Sequence, residues 1–319
     1  MNAERRFDVV VLGGGPAGLS AALLLGRACR SVLVLDSAMP RNRFAPHMHG
    51  VLGHDGRPPL ELLEDGRREV RRYGGVIETV AVDAVQQVPE GFVIVAGSQQ
   101  FRGRRLVVAT GVTDELPQVP GLAAHWGTGV SHCPYCDGYE VRGQPLGVLA
   151  TGHGSGHQAQ LLRQWSDALT FFADDRDTLT DRERIEMRAR GIAVADSQVA
   201  QVLPERSGTG VRVELQDGSA RTVARLFVVP HVRPNDAALV GLGAQRITPH
   251  RISCVAVDHA GRTSVPGVWA VGNVADPKAN VPMCIGAGAA AGGAINADLV
   301  EEEVAAASRA APHEGQRDG

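Results

Sequence analysis

Two cysteines, Cys133 and Cys136, are the residues of this sequence whose type and spacing predict redox chemistry. They are separated by Pro134 and Tyr135 and lie within one turn of chain, where two thiols can close an easily reduced disulfide. A helix that begins at this point would lower the thiol pKa through its dipole. Half of a zinc site is the alternative, but it requires further ligands at paired spacing, and the sequence offers none.

Two ionisable side chains flank this pair. Asp137 directly follows the second cysteine, and its carboxyl group can donate a proton to a departing thiolate or accept one from a thiol. His132 directly precedes the first cysteine and can do the same, or can stabilise a thiolate. The predicted catalytic residues are therefore Cys133, Cys136, Asp137 and His132, and no metal ligand is predicted.

A second group of residues, near the start of the chain, has the spacing of a phosphate-binding turn. Gly13, Gly15 and Gly18 follow an apolar segment and precede a helical one, so the glycines allow a tight turn and close approach of a pyrophosphate. The N–H groups at the helix start favour such an anion. Asp36 ends the next apolar segment, where a carboxylate can hold ribose hydroxyls. The residues predicted to bind the dinucleotide here are Gly13, Gly15, Pro16, Ala17, Gly18 and Asp36.

These residues need a particular set of elements to position them. Residues 7–12 predict a buried strand, residues 19–27 a helix and residues 31–36 a second buried strand, which together begin a doubly wound sheet. A second unit of the same kind begins at Pro145. We therefore predict an α/β protein with two Rossmann-like, three-layer domains, the second inserted in the first.

The predicted boundary between the domains is a Pro/Gly-rich segment that begins at Leu116. The first domain comprises residues 1–116 and 245–319. The inserted domain, residues 117–244, carries the cysteine pair.

Composition limits the partners of the chain. A formal net charge of −3 and a pI of about 6.4 predict neither a nucleic acid nor an anionic membrane as a partner. The 5 cysteines are an odd and sparse set, unlike a secreted disulfide framework, so we expect a cytoplasmic protein. Cys29, Cys254 and Cys284 lie in apolar or small-residue segments and are predicted to be buried thiols.

The order of these motifs resembles that of the thioredoxin reductase family of pyridine-nucleotide disulfide oxidoreductases. The resemblance covers nearly the whole chain and rests on four segments: GGGPAG at 13–18, Ala-Thr-Gly at 109–111, Cys-x-x-Cys-Asp-Gly at 133–138 and TSVPGVWAVGN at 263–273. It implies FAD as the cofactor and adds Gly111, Gly272 and Asn273 to the residues that bind it. Asn273 stands where the family usually has Asp, and because an amide still hydrogen-bonds a hydroxyl, we expect FAD binding to be retained.

The same resemblance implies roles for the redox residues. Cys136 is expected to lie against the flavin, Cys133 to exchange with the substrate, and Asp137 to serve as the acid/base. The resemblance also implies a homodimer.

The inserted domain departs from the family pattern. The family has a second glycine turn for NADPH there, but in this chain Ala150 replaces its first glycine and Ser155 its terminal alanine. A Cβ at the first position conflicts with the tight turn or with an approaching pyrophosphate. Asp174 and Asp175 stand where the family has basic residues, with Arg176 beside them, and two carboxylates repel a 2′-phosphate. NADPH is therefore disfavoured, whereas NADH, which lacks that phosphate, is compatible with these residues.

This combination resembles a subgroup of the family, the dithiol oxidases that form the disulfides of natural products such as gliotoxin and holomycin. It implies that a small-molecule dithiol reduces the Cys133–Cys136 disulfide, that electrons pass to FAD, and that oxygen reoxidises the flavin. Two alternatives stay open. One is an NAD(P)H-dependent reductase of a thioredoxin-like protein, and the other is a redox-sensing flavoprotein without turnover.

Several further polar residues have two interpretations. His47, His49 and His54 lie in a loop that in the family passes near the isoalloxazine, so they are candidates for general bases or for shaping a thiol pocket; hydrogen-bonded loop histidines are the alternative. His153 and His157 are predicted to fill a vacated nucleotide site rather than to bind a metal. Four arginines on one helix face are predicted to be solvated: Arg67, Arg68, Arg71 and Arg72.

Overall fold

The computed structural model describes residues 5–152, 154–174, 179–206, 208 and 210–310. The predictions made for His153, Asp175 and Arg176 therefore lie outside the described residues.

Strands and helices alternate along much of the chain, as α/β units require. The strands are β1 (Arg5–Leu12), β2 (Val32–Asp36), β3 (Val76–Thr79), β4 (Ala84–Val88), β5 (Gly91–Ala96), β6 (Gln99–Val108), β7 (Val112–Glu115), β8 (Val130–Ser131), β9 (Leu146–Leu149), β10 (Leu169–Phe172), β11 (Ala193–Ala195), β12 (Val199–Pro204), β13 (Val211–Leu215), β14 (Ala220–Val223), β15 (Arg225–Val228), β16 (His231–Pro234), β17 (Arg246–Ile247), β18 (Cys254–Val255) and β19 (Val268–Ala270). The helices are α1 (Pro16–Arg27), α2 (Pro59–Arg72), α3 (Pro134–Asp137), α4 (Ser155–Leu162), α5 (Asp181–Ala189), α6 (Ala237–Gly241) and α7 (Val281–Ala310).

The chain forms two compact units, each built from separate segments. Unit 1 comprises Met1–Pro40, Leu62–Val112 and Pro234–Gly319. Unit 2 comprises Arg41–Glu61 and Thr113–Arg233 and contains the cysteine pair.

The predicted division differs from these units in two respects. The chain leaves unit 1 after Val112 and returns at Pro234, in strands β7 and β16, which pair with each other, whereas the predicted boundaries follow residues 116 and 244. The histidine-bearing segment 41–61, which the prediction assigned to the first domain, belongs to unit 2.

Unit 1 is organised around a sheet with the order β3-β2-β1-β6-β5-β4, in which β19 also pairs with β6. Strand β1 is parallel to both β2 and β6. Val9 and Val11 belong to the hydrophobic cluster on one face, and Val10 and Leu12 to the cluster on the other. Because both faces are covered, the strand is a continuous apolar run rather than an alternating one.

The long helix α7 closes one face of unit 1 by packing against α1. A Cβ added at Gly288 would lie 2.1 Å from the carbonyl oxygen of Ala17, and one at Gly292 would lie 3.0 Å from that of Ala21, so these glycines permit a close helix contact. By length and mean hydropathy (1.3) α7 is the one described helix compatible with a membrane span, and 33% of the relevant window is buried. A core helix meets the same criteria, and the contact with α1 is that of a core helix.

Unit 2 contains a five-stranded sheet with the order β11-β10-β9-β15-β8 and a separate antiparallel sheet, β12-β13-β14. All five strands of the first sheet pair in parallel, β10 with β11 and β9, and β15 with β9 and β8. Ser131 in β8 lies opposite Phe227 in β15, immediately before the redox segment. The predicted fold class, α/β with two Rossmann-like domains, is confirmed.

Candidate active site

The redox pair lies at a single helical turn, α3. Cys133 occupies the N-cap position with extended backbone angles, and Pro134 occupies the first helical position, where its missing N–H costs nothing. Cys133 and Cys136 form a disulfide with a Cα–Cα distance of 5.2 Å, an ordinary span for such a bond. The Cys136 amide donates to the Cys133 carbonyl (3.1 Å). Because α3 is one turn long, its dipole is that of a few peptide groups, and the neighbouring side chains must supply most of the electrostatics.

The Asp137 carboxyl has a raised pKa. Burial is the main cause, and the charge of Glu140 adds to it, while Arg225, a hydrogen bond from Ser131 and the charge of His49 oppose the shift. The guanidinium Nη1 of Arg225 lies 3.7 Å from Oδ1 of Asp137. A carboxyl group held between these influences is suited to exchanging protons with a thiol.

His132 is neutral at pH 7, because burial lowers the pKa of its imidazole and the nearby Arg41 guanidinium lowers it further. Its Nδ1 lies 3.4 Å from the carbonyl oxygen of Val228, and its own carbonyl oxygen accepts a hydrogen bond of 2.6 Å from Nε2 of Gln158. Of the two roles expected from the sequence, proton acceptor and stabilising cation, the first suits a neutral imidazole.

Of the three loop histidines, the structure brings His49 towards the redox segment. Its Nε2 lies 3.4 Å from the Glu140 carboxylate and its Nδ1 lies 3.4 Å from that of Asp55. His47 instead faces the carbonyl oxygen of Gly56, 3.0 Å away. His54 is exposed. The hydrogen-bonded alternative therefore describes His47, whereas His49 belongs to the electrostatic surroundings of Asp137.

The glycines of the first turn, in unit 1, are required by its geometry. Gly13 has a φ of +104°, and a Cβ there would lie 2.4 Å from the carbonyl oxygen of Ala109. A Cβ on Gly18 would lie 1.9 Å from the carbonyl oxygen of Gly13. At Gly15 a Cβ would meet nothing within 4 Å, so this face is open. Because α1 begins at Pro16, its unpaired first-turn N–H groups lie beside the open face, an arrangement that fits a pyrophosphate.

Asp36, at the end of β2, has a partner that the sequence analysis missed. Nη2 of Arg67 donates to Oδ2 of Asp36 at 3.1 Å, and the two side chains are 19% and 13% exposed. The prediction that Arg67 is solvated is therefore wrong, because α2 packs this arginine over the end of the sheet. The other oxygen of Asp36 is a suitable acceptor for a ribose hydroxyl.

Gly272 and Asn273 lie against the first turn. Gly272 has a φ of +71°, and a Cβ there would lie 2.8 Å from that of Ala17, so both small residues are needed for this approach. The amide nitrogen Nδ2 of Asn273 donates to the carbonyl oxygens of Asp276 (3.2 Å) and Ala279 (2.8 Å). These bonds fix the amide orientation and leave Oδ1 as the group available to accept from a hydroxyl. An aspartate could not make them, since it has no N–H.

Gly111, the last predicted FAD residue, follows β6 with a φ of +70°, and a Cβ on it would meet nothing within 4 Å. Its carbonyl oxygen accepts from the backbone N–H of Asn235 (3.0 Å). The side chain of Asn235 returns a hydrogen bond to the carbonyl oxygen of Thr110 (3.1 Å). The turn after β6 is thus fixed by the segment that returns from unit 2.

The second turn, after β9, differs in construction. Ala150 is buried and is not among the described residues of positive φ. The positive φ values occur instead at Gly152 and Gly154. Ser155, also buried, accepts a hydrogen bond on Oγ from the N–H of Thr151 (3.0 Å), so a side chain fills the inside of this turn.

The structure adds a contact to the prediction for Asp174 and corrects the prediction for Cys29. Asp174 has a φ of +47°, and its Oδ1 accepts from the N–H of Val199 (3.2 Å), so this carboxylate has a structural partner in addition to any effect on a phosphate. Cys29 is exposed, not buried as predicted, because it has a positive φ (60°) just after α1 and faces away from the core. Cys254 and Cys284 are buried as predicted.

Comparison with known proteins identifies the family. The sequence profile described as pyridine nucleotide-disulphide oxidoreductase matches residues 7–292. The chain belongs to this family. It is 32% identical over 299 residues to the thioredoxin reductase aclD of Aspergillus oryzae, covering 90% of this chain and 95% of that protein. It is 30% identical to the thioredoxin reductase sirT of Leptosphaeria maculans, covering 95% and 97%.

Among solved structures, HlmI superimposes with a TM-score of 0.90 at 44% identity, covering 97% of both chains. The resemblance to thioredoxin reductase-like proteins and their dithiol oxidase subgroup is therefore confirmed, and this member of the pyridine nucleotide-disulphide oxidoreductases is an enzyme. Members of the family are in general FAD-dependent.

Proposed function

We propose that this oxidoreductase uses FAD and the Cys133–Cys136 disulfide to oxidise a small-molecule dithiol to a disulfide, with oxygen as the final electron acceptor. The observation that carries this proposal is the contrast between its two glycine turns. The first has an open cradle at Gly15, whereas the second has Ala150 at its first position and the Ser155 side chain inside it. An enzyme with a flavin cradle and an altered nicotinamide turn needs another electron donor, and a dithiol supplies one.

The residues of unit 1 suit FAD. The pyrophosphate would lie at Gly13, Gly15 and the first turn of α1, and Asp36 would accept from the ribose hydroxyls. Oδ1 of Asn273 would accept from a ribityl hydroxyl. FAD, when bound, supplies the two-electron oxidation of the reduced cysteine pair and returns those electrons to oxygen.

The residues of unit 2 would carry out the exchange of thiols and disulfide. One substrate thiol loses its proton to Asp137 or to the neutral His132, and the resulting thiolate attacks Sγ of Cys133. The S–S bond breaks, and Cys136 leaves as a thiolate that Asp137 can reprotonate. The second substrate thiol then attacks the mixed disulfide, which releases the cyclic or linear disulfide product and leaves both cysteines reduced.

Oxygen uptake tests the proposal. Purified protein with its flavin quantified by absorbance is given dithiothreitol, or NADH or NADPH together with thioredoxin, in air. We expect dithiothreitol to drive oxygen uptake with hydrogen peroxide as the product, and the nicotinamides to drive little. Uptake or thioredoxin reduction that depends on a nicotinamide would reject the proposal.

One observation favours a second function, an NADH-dependent disulfide reductase acting on a thioredoxin-like protein. Gly152 and Gly154 retain positive φ values, and a Cβ on either would meet nothing within 4 Å, so part of the second turn is open. The names of the relatives point the same way. In either function we expect a homodimer located in the cytoplasm, with no nucleic acid or membrane partner.

A further inference from the structure

The redox segment has a polar support behind it, formed by residues far apart in the sequence. Ser131 in β8 lies just before the cysteine pair and is 4% exposed. Arg225 begins β15, the strand that pairs with β8, and its Nη1 donates to Oγ of Ser131 at 2.9 Å. The same Nη1 lies 3.7 Å from Oδ1 of Asp137, and the side chains of Arg225 and Asp137 are 17% and 30% exposed.

The direction of the hydrogen bonds follows from the donors available. A guanidinium only donates, so Ser131 must accept from Arg225 on its oxygen. The Ser131 hydroxyl proton is then free to point away from Arg225, and this hydroxyl lowers the pKa of Asp137. The Arg225 charge, 3.7 Å from Oδ1 of Asp137, and the Ser131 hydroxyl that it orients both favour the ionised carboxylate over the protonated acid.

Other charges that face Asp137 do not replace this support. Burial and the charge of Glu140 act against ionisation, and the charge of His49 acts for it less strongly than that of Arg225. Nε of Arg225 is buried, and among the described residues it has no hydrogen-bond partner. An unsatisfied buried donor costs free energy, so a guanidinium at this position is unfavourable unless its charge beside Asp137 has a use.

We propose that Arg225, through its ion pair with Asp137 and its hydrogen bond to Ser131, is the positioning residue that keeps Asp137 as a proton-accepting carboxylate in the resting disulfide enzyme. This inference deepens the proposed function, on which it rests for the direction of the reaction. In the step concerned, a substrate thiol and the Asp137 carboxylate become a thiolate and a carboxylic acid. The thiolate then attacks Cys133, the S–S bond breaks, and its electron pair leaves on Cys136.

The experiment is an anaerobic reduction of the flavin-containing protein by dithiothreitol over a range of pH. The reaction is stopped with acid and N-ethylmaleimide, and loss of the disulfide is measured as alkylation of the peptide that holds Cys133 and Cys136. Each variant is compared with the parent at the same pH, because the ionisation of dithiothreitol is common to both. This readout needs no turnover, so it remains informative if oxygen is not the acceptor.

Removing the charge with Arg225→Gln is expected to raise the pKa of Asp137 further. At pH values below the pKa of Asp137, the disulfide of the variant is then reduced about tenfold more slowly than that of the parent for each unit by which this pKa rises. The ratio of the two rates returns towards one as pH rises. Ser131→Ala should give a smaller shift in the same direction. Arg225→Lys keeps the charge and should recover most of the parent profile.

A matched control is Arg212→Gln, which removes an arginine of unit 2 that pairs with Glu214 on the same strand, β13; it should leave the profile unchanged. In an Asp137→Asn background, Arg225→Gln should have no further effect on the acid limb. The inference is overturned if the disulfide of a folded Arg225→Gln variant is reduced at the parent rate at every pH, or more slowly by the same factor at every pH. If Asp137→Asn itself changes nothing, the assignment of Asp137 in the proposed function has failed instead.

Discussion

The two glycine turns of this chain occupy equivalent positions, one after β1 and one after β9, yet they are built differently. In the first, Gly18 packs its Cα against the backbone of Gly13, where a Cβ would come within 1.9 Å of an oxygen. In the second, the equivalent residue, Ser155, places a side chain inside the turn and binds the N–H of Thr151. One turn keeps its interior empty so that its outer face can take a phosphate, and the other is stabilised by its own side chain.

This difference shows that one strand–turn–helix arrangement accommodates two constructions of the turn. Both turns still connect a buried strand to a helix, and both helices pack on a parallel sheet. In a dinucleotide-binding turn the first glycine serves the tight turn and the third serves close packing of the helix on the strand. The second turn keeps its strand and its helix with a buried Ala150 and a hydrogen-bonded Ser155 at these two positions.

The largest expected effect is at the first turn. Gly18→Ser places a side chain where a Cβ already overlaps Gly13, so we expect loss of bound flavin and destabilisation by about 3 kcal/mol. Flavin absorbance and thermal unfolding measure both. The matched control is Ser155→Gly in the second turn, which should keep its flavin; equal flavin loss in the two variants would end the distinction between the turns.

The next-largest effect is expected at the redox pair, where a substitution should stop turnover but leave the first turn and its flavin intact. Cys136→Ser cannot form the disulfide with Cys133, so we expect turnover with dithiothreitol to be abolished while flavin content is unchanged. Cys29→Ser changes an exposed thiol outside the site and serves as control. Full turnover in Cys136→Ser would contradict the proposed exchange.

A smaller effect is expected in the second turn. Ser155→Ala removes the hydrogen bond from the Thr151 N–H, which should lower the free energy of unfolding by about 1 kcal/mol. Flavin content and dithiol turnover should remain at parent levels, because this side chain supports the turn alone. A marked change in turnover with unchanged stability would indicate that the second turn still takes part in the reaction.

The smallest expected effect is the change in stability when the Asp137 carboxyl group is replaced. Its pKa is raised in the folded state by burial, so ionisation at neutral pH favours unfolding, and the penalty disappears as pH falls below the ordinary pKa of a carboxyl group. Asp137→Asn should therefore raise the unfolding temperature at neutral pH and lose this advantage in acid. Flavin content should be retained in the same samples. A lower unfolding temperature at neutral pH would show that the carboxylate stabilises the fold.

Local sequence signals predicted the elements that carry the site. The apolar runs of β1 and β2, the spacing of Gly13 to Gly18 and the Cys133–Cys136 pair each depend on neighbours in the chain, so the sequence records them directly.

The contacts that tune the site could not be read in this way. Arg67 looked like part of a solvated helix face, and only the position of α2 over the sheet brings it to Asp36. Arg225 and Ser131 come together because β15 and β8 pair, although they are distant in sequence. Such partners depend on strand order, which a single sequence does not specify.

We propose that a dithiol, rather than a nicotinamide, reduces the flavin of this enzyme. Anaerobic addition of dithiothreitol, NADH or NADPH to the purified protein, followed by flavin absorbance, tests it directly. The account predicts that dithiothreitol alone bleaches the flavin and that admission of air restores it. Rapid bleaching by either nicotinamide would contradict the account and would make the second turn a working coenzyme site.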